Sequence, residues 1–267
     1  MSYSLILIGC GKMGGALAHN WLENGLIGKI QILDPYEIDQ KLSTLPTVFH
    51  VKHSKDVDVS NVDLVIFAVK PQTLDELCQD LKNIIPQNTP ILSIAAGKDT
   101  QFFKNHFPRN EIIRSIPNTP AMIGKGMSVL YADDKITEKS KNMASELMKA
   151  AGEYDWIENE GLMDLVTAVS GSGPAYLFYL IEALEKSALK QGLNTNLAQK
   201  MARQTVIGAA ALAEHEPEIS AKELRQNVTS PGGTTEAGLE ILMNREFDNI
   251  IDAVIEAAKN RGKALNS

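Results

Sequence analysis

Ser4–Leu22, SLILIGCGKMGGALAHNWL, decides the first half of the fold. Its apolar run Leu5–Ile8 leads straight into Gly9-x-Gly11-x-x-Gly14, and an amphipathic helical pattern continues to Glu23. In a strand–turn–helix unit each glycine has its own task. Gly9 permits the tight turn, Gly11 lets the backbone approach a pyrophosphate, and Gly14 lets the helix pack closely on the strand. The helix N-terminus, with its free N–H groups and the positive end of its dipole, then receives the diphosphate. Glycine-rich turns are common, so context carries the argument. A second strand, Ile30–Leu33, ends in Asp34, about twenty residues beyond the last glycine, as a dinucleotide site requires. We therefore expect a Rossmann-type site built by Gly9, Cys10, Gly11, Lys12, Met13 and Gly14, with Asp34 on the ribose. A carboxylate there accepts hydrogen bonds from the hydroxyls of NAD and repels a 2′-phosphate, and the nearest cation downstream is Lys41. The residues lean to NADH, although an Asp-Pro pair also simply ends a strand and opens a turn.

Short apolar runs continue outward from this unit at 64–68, 90–94, 112–115 and 127–131, with amphipathic stretches at 73–84 and 137–150. That alternation predicts a parallel sheet with helices on both faces, and runs apolar throughout, such as DLVIFAV, suit strands covered on both sides. Ligands of open α/β sheets lie beyond the carboxyl ends of the strands. Ala68, Val69, Lys70 and Pro71 end one strand, and Ala95, Ala96 and Gly97 end another, small enough to seat a flat nicotinamide. Lys70 is read as a phosphate or ribose contact, or as a solvated lysine before a helix-starting proline. Asn118 in PNTP is either a cofactor or substrate contact or a turn cap.

Past residue 160 only helical periodicity is found: 163–169, a Ser-Gly-Ser-Gly-Pro break, 175–190, 197–213, 221–227, 235–243 and 247–264. The expected plan is a dinucleotide-binding domain over 1–160 and an all-α domain over 161–267. Small residues such as Ala209–Ala211 let helices approach closely, within one bundle or across a dimer interface. In the break, Ser172 serves as an N-cap, or small residues bring the next helix close to substrate and nicotinamide.

The formal net charge of -7, with no basic cluster, argues against nucleic acid and anionic membranes. The N-terminal apolar run is too short for a signal peptide or a membrane span. Cys10 and Cys78 form no metal or redox spacing, which fits a reducing cytoplasm. His50-x-x-His53 has no accompanying ligand set, so no metal is expected.

One stretch goes further. Leu224–Gly238, LRQNVTSPGGTTEAG, with Val169–Phe178, VSGSGPAYLF, Arg114–Ala121, RSIPNTPA, Phe67–Gln72, FAVKPQ, and the glycine turn, closely resembles pyrroline-5-carboxylate reductase over nearly the whole chain. The resemblance implies an oxidoreductase of proline biosynthesis that reduces a cyclic imine with NADPH or NADH. It also implies a helical domain interlocked in a homodimer, with dimers commonly gathered into larger rings. Family members often prefer NADPH, which opposes the lean from Asp34. The family's ribose-contacting asparagine is replaced by His53-Ser54-Lys55-Asp56, so that contact does not carry over.

The residues support the same chemistry. Ser230, Gly232, Gly233, Thr234 and Thr235 precede a helix in a loop without Arg or Lys, and backbone N–H groups from Gly232 to Thr235 are read as a nest for a substrate carboxylate. The simpler reading is a Pro-Gly turn with a threonine cap and Glu236 in the first turn; both can hold together. Reducing a ketone normally needs a positioned acid, and neither Val169–Tyr179 nor Thr229–Gly238 contains His or Lys. A cyclic imine is protonated near neutral pH and carries its own activating proton. In the family, the position of Thr235 contacts the ring nitrogen. The rivals are a β-hydroxyacid dehydrogenase, which would need a lysine acid that Lys186 and Lys190 do not convincingly supply, and a non-catalytic NAD(P)-sensing dimer.

Overall fold

The computed structural model describes residues 2–244 and 246–266. Its strands are β1 (Tyr3–Ile8), β2 (Ile27–Leu33), β3 (Val48–Val51), β4 (Leu64–Phe67), β5 (Ile91–Ser93), β6 (Ile112–Ile116), β7 (Gly126–Ala132) and β8 (Gly152–Trp156). They form one sheet in the order β3-β2-β1-β4-β5-β6-β7-β8, parallel at every pair except β6–β7. The order reverses between β1 and β4, which is where an open α/β sheet leaves a crevice for a ligand. The helices are α1 (Lys12–Glu23), α2 (Gln40–Ser43), α3 (Pro71–Leu81), α4 (Thr100–His106), α5 (Glu138–Lys149), α6 (Met163–Val166), α7 (Gly173–Lys190), α8 (Thr195–His215), α9 (Ala221–Asn227), α10 (Thr234–Asn244) and α11 (Phe247–Asn266).

Alternate residues of the central strands feed two cores. Leu5 and Leu7 pack in one with Trp21 and Leu147, and Ile6 and Ile8 in the other with Phe67, Phe103 and Phe107. The sheet is thus buried on both faces, and the indole of Trp21 is satisfied by donating to Leu147 O at 2.8 Å.

The expected strands are present, and two more were not legible. β3 is four residues long, and β8 (GEYDW) is an edge strand whose Glu153 and Asp155 are exposed while Tyr154 and Trp156 are half-buried, an alternation too short to stand out. The expected break at Ser170–Pro174 is instead a π-helical segment, Thr167–Gly171, and Ser172 has helical dihedrals rather than those of an N-cap.

By contact density the chain divides into two compact units, Met1–Ser172 with Ala258–Ser267, and Gly173–Ala257. In the second, α7 is closed off two residues beyond its end by Gly192 (φ +99°), where the Leu193 N–H reaches back to Ala188 O at 3.1 Å, and the Asn194 side chain caps α8. Among its described residues only Ala198 and Ala202 are buried. Leu177, Leu180 and Leu184 on α7, Met201 and Ile207 on α8, and Ile241 on α10 all remain exposed. Helices this apolar have no core of their own in a single copy.

Candidate active site

At the end of β1 the chain turns at Gly9, with φ +92°, a conformation that favours glycine. A Cβ there would meet Val69 Cγ1 at 2.5 Å and Ala68 O at 2.9 Å, and one on Gly14 would meet Gly9 O at 2.4 Å. The strand end, the turn and the start of α1 are therefore in direct backbone contact. Gly11 differs: it precedes α1 as its N-cap, no side chain caps the helix, and a Cβ there would meet nothing within 4 Å. Open space in front of an uncapped helix N-terminus is the cradle a pyrophosphate needs.

Asp34 braces this turn. Its Oδ2 accepts from the Cys10 N–H at 2.7 Å and its Oδ1 from the Tyr36 N–H at 3.0 Å. His50 Nε2 lies 2.9 Å from Asp34 O; a carbonyl only accepts, so that nitrogen carries the proton. A cleft of about 660 Å³ follows, lined by Gly9, Gly11, Asp34, Ala68, Val69 and Lys70. The same cleft is lined by Tyr36, 79% exposed, and Lys52, neither of which the sequence reading singled out, and by His53 and Ser54 from the loop after β3. His53 and Ser54 belong to the loop where no ribose contact was expected to carry over, yet they face the cleft. For Lys52, only its position after an unrecognised strand could have flagged it.

The other expected residues have varied surroundings. Met13 and Cys10 are half-buried against the core. Burial, then Asp34 and Asp39, push the Cys10 thiol up to about 11. Cys10, Gly11 and Lys12 also border a second groove of about 620 Å³ with His19, Asp39 and Lys41. Exposed Lys70 precedes α3 and Pro71 starts it. Ala95 and Gly97 are buried beyond β5, with Ala96 exposed. Asn118 is engaged at both ends of its amide: Oδ1 accepts from the Met127 N–H at 2.8 Å, and Nδ2 donates to Ser170 O at 3.1 Å. It ties the turn after β6 to the π-helical segment.

In the helical half, Ser230, Gly232, Thr234 and Thr235 are exposed in the loop and first turn of α10. Gly232 has φ +69°. Two of the expected nest donors are engaged: the Gly233 N–H with Ser230 O at 2.9 Å, and the Gly232 N–H with Glu236 Oε2 at 2.6 Å. The acid of the first turn thus itself sits on a nest N–H. Those of Thr234 and Thr235 stand at the helix end, where no intrahelical acceptor exists. Among the described residues no group of three His, Cys, Asp or Glu is placed to hold a metal ion, and no helix is long and apolar enough to cross a membrane.

Two family models match the chain: "Pyrroline-5-carboxylate reductase dimerisation" over 160–265 and "NADP oxidoreductase coenzyme F420-dependent" over 4–97. Among curated proteins it is 33% identical to the pyrroline-5-carboxylate reductase of Haemophilus influenzae, covering 100% of this chain and 99% of the relative. It is 36% identical to that of Synechocystis, covering 99% of each. Among solved structures, a pyrroline-5-carboxylate reductase from Coxiella burnetii superposes with a TM-score of 0.92 at 31% identity, covering 100% of both chains. A Plasmodium falciparum pyrroline carboxylate reductase with NADP bound superposes with a TM-score of 0.85 at 26% identity, covering 99% of this chain and 98% of that one.

Proposed function

The chain belongs to the pyrroline-5-carboxylate reductase family, and from that membership we propose how its residues divide the work of reducing 1-pyrroline-5-carboxylate to L-proline with NADPH or NADH, the last step of proline biosynthesis. The observation that carries the reading is the Thr229–Thr235 loop, which offers main-chain donors and hydroxyls at a helix start and contains no Lys, Arg or His.

The substrate is an anion at its carboxylate and a cation at its protonated ring nitrogen. The N–H groups of Thr234 and Thr235, with the hydroxyl of Ser230, hold the carboxylate; Gly232 joins them once Glu236 lets go of its N–H. Gly233 shapes the loop, since a Cβ there would press on Ser230 O at 2.9 Å. The Thr235 hydroxyl hydrogen-bonds the ring nitrogen, orienting the adjacent carbon and stabilising the amine as it forms. No acid from the chain is required, because the imine arrives protonated.

The glycine turn fits a dinucleotide: Gly11 leaves the cradle open, and Asp34 stands at its ribose end. Bound there, a reduced nicotinamide supplies the hydride. Ala68–Pro71 and Ala95–Gly97 keep the strand ends low enough for a flat ring, and Lys12 and Lys70 offset phosphate charge. Asn118 acts by positioning Ser170. Asp34 supports NADH as the better cofactor, while Lys52 on the same cleft keeps NADPH usable. The helical half completes its core in a homodimer, dimers gather into rings, and the enzyme works in the cytoplasm.

Initial rates of NADH and NADPH oxidation on adding pyrroline-5-carboxylate test the whole reading. Turnover with formation of proline is expected. Binding of either cofactor without turnover would leave a sensor rather than a reductase.

A further inference from the structure

Arg114 sits in the middle of β6 and is 3% exposed. A guanidinium that deep needs a counter-charge. Its Nη1 donates to Glu160 Oε1 at 3.2 Å, and Glu160 comes from a separate segment, the single turn Glu160–Leu162 after β8. The same carboxylate accepts twice more, from the Thr100 N–H at 2.8 Å and the Thr100 hydroxyl at 2.7 Å. Thr100 is buried and is the first residue of α4, so the carboxylate also stands at a helix N-terminus, where the dipole favours it. One carboxylate thereby joins β6, α4 and the segment that follows the sheet.

The loop between β5 and α4 contains Ala95, Ala96 and Gly97, the last with φ +78°. Alanine and glycine have no side chain with which to anchor a loop. Its near end is held by the Ala95 N–H on Ser93 Oγ at 3.2 Å, and its far end by Glu160 through Thr100. We propose that Glu160 is a positioning residue that fixes this loop against β6, and so sets the wall against which the nicotinamide lies. The inference rests on the reading of Ala95–Gly97 as the nicotinamide side of the cofactor site. Nothing in the sequence marked Glu160 for this; the only signal was a lone arginine inside an apolar strand.

The test uses the full-length protein with three substitutions. Thr100→Val removes one hydrogen bond and leaves Arg114 paired. Glu160→Gln keeps an acceptor for Thr100 without the charge, and Glu160→Ala removes all three bonds. Emission of bound NADH reports the surroundings of the nicotinamide and needs no substrate; NADH Kd and the single-turnover rate with pyrroline-5-carboxylate complete the set. Emission is expected to move toward that of free NADH in Thr100→Val and further in Glu160→Ala. The rate should fall about threefold and about tenfold or more, with Kd within about threefold because the glycine turn is untouched. Glu160→Gln should recover part of the loss. If Glu160→Ala does not fold, the other two variants decide. Unchanged emission and rate in folded variants would overturn the proposal, as would a Kd that rises in proportion to the lost rate, the mark of general loosening. Should the wild type fail to reduce the imine, the proposed function falls, while the emission measurement still tests the clamp.

Discussion

The main-chain N–H of Cys10 donates to Asp34 Oδ2 at 2.7 Å, so the acid that ends β2 holds the glycine turn that ends β1. The other oxygen accepts from Tyr36, which fixes the carboxylate against rotation. A carboxylate has about four lone-pair sites, so these two bonds leave capacity for ribose hydroxyls in the cleft that Asp34 lines. Asp34 is a brace by these bonds and, on the proposed reading, also a discriminator between the cofactors; the two roles make different predictions on substitution.

Asp34→Ser keeps a small hydrogen-bonding group and removes the negative charge. The ratio of kcat/KM for NADPH over NADH should rise on the order of tenfold to a hundredfold, because repulsion of the 2′-phosphate disappears. Binding of both cofactors should weaken, since a shorter side chain braces Cys10 less well. Steady-state kinetics with each cofactor check this. An unchanged ratio would confine Asp34 to bracing.

Cys10 lies in the turn and is partly accessible, yet its thiol is held at about 11 by burial and then by Asp34 and Asp39. At pH 8 almost no thiolate exists there. Iodoacetamide should label Cys10 on the order of a hundredfold more slowly than a free thiol, with the rate climbing toward pH 11. Asp34→Ser should speed labelling by removing one of the negative charges. Mass spectrometry of timed reactions measures both.

Much of the cofactor half is legible because its information is local. Gly9 is needed for the turn at φ +92° and Gly14 for its contact with Gly9 O five residues back, and Leu5–Ile8 declare a strand without help from elsewhere. What escapes is non-local. β8 carries the alternation of a strand in Glu153, Tyr154, Asp155 and Trp156, but four residues are too few to stand out, and pairing with β7 makes them one. Lys52 and His53 reach the cleft only because β3 pairs with β2. Glu160 is unremarkable until Arg114, forty-six positions away, is placed beside it. In the π-helical segment the glycines and serines read as a break because propensity cannot distinguish a wide helical turn from a loop.

Leu177, Leu180 and Leu184 recur on one side of α7 and are 51%, 43% and 41% exposed in a single copy. If a second copy covers them, Leu180→Asp should shift the protein to smaller species in sedimentation and lower its Tm. A leucine left in water would tolerate the change with neither effect. An unchanged mass and melting profile would place the dimer interface elsewhere on the helical half.

Asp58 shows the pH sign clearly. The hydrogen bond from Lys29, then those from Ser60, hold its carboxyl well below the usual carboxylate range. A folded pKa below the unfolded one gives stabilisation that is present above about pH 4 and lost as pH falls toward the folded value. Asp58→Asn should therefore melt below the wild type at pH 7, with the gap narrowing progressively as pH falls from about 4 toward the folded value. A gap as large at pH 2 as at pH 7 would assign the effect to something other than this charge.

Thr235 is the most exacting position, because its proposed role is specific to one atom of the substrate. It is exposed in the first turn of α10, so removing its hydroxyl should leave the fold intact. Thr235→Ala should lower kcat on the order of tenfold to a hundredfold while NADH Kd holds, and Thr235→Ser, which keeps the oxygen, should recover most of the loss. The pH profile adds a second constraint. With no acid supplied by the chain, the loss of rate at high pH follows deprotonation of the imine itself, and Thr235→Ala should lower the whole profile without moving that limb. A limb that shifts with the substitution would mean that Thr235 belongs to a proton relay, and the substrate would no longer be the bearer of its own activating proton.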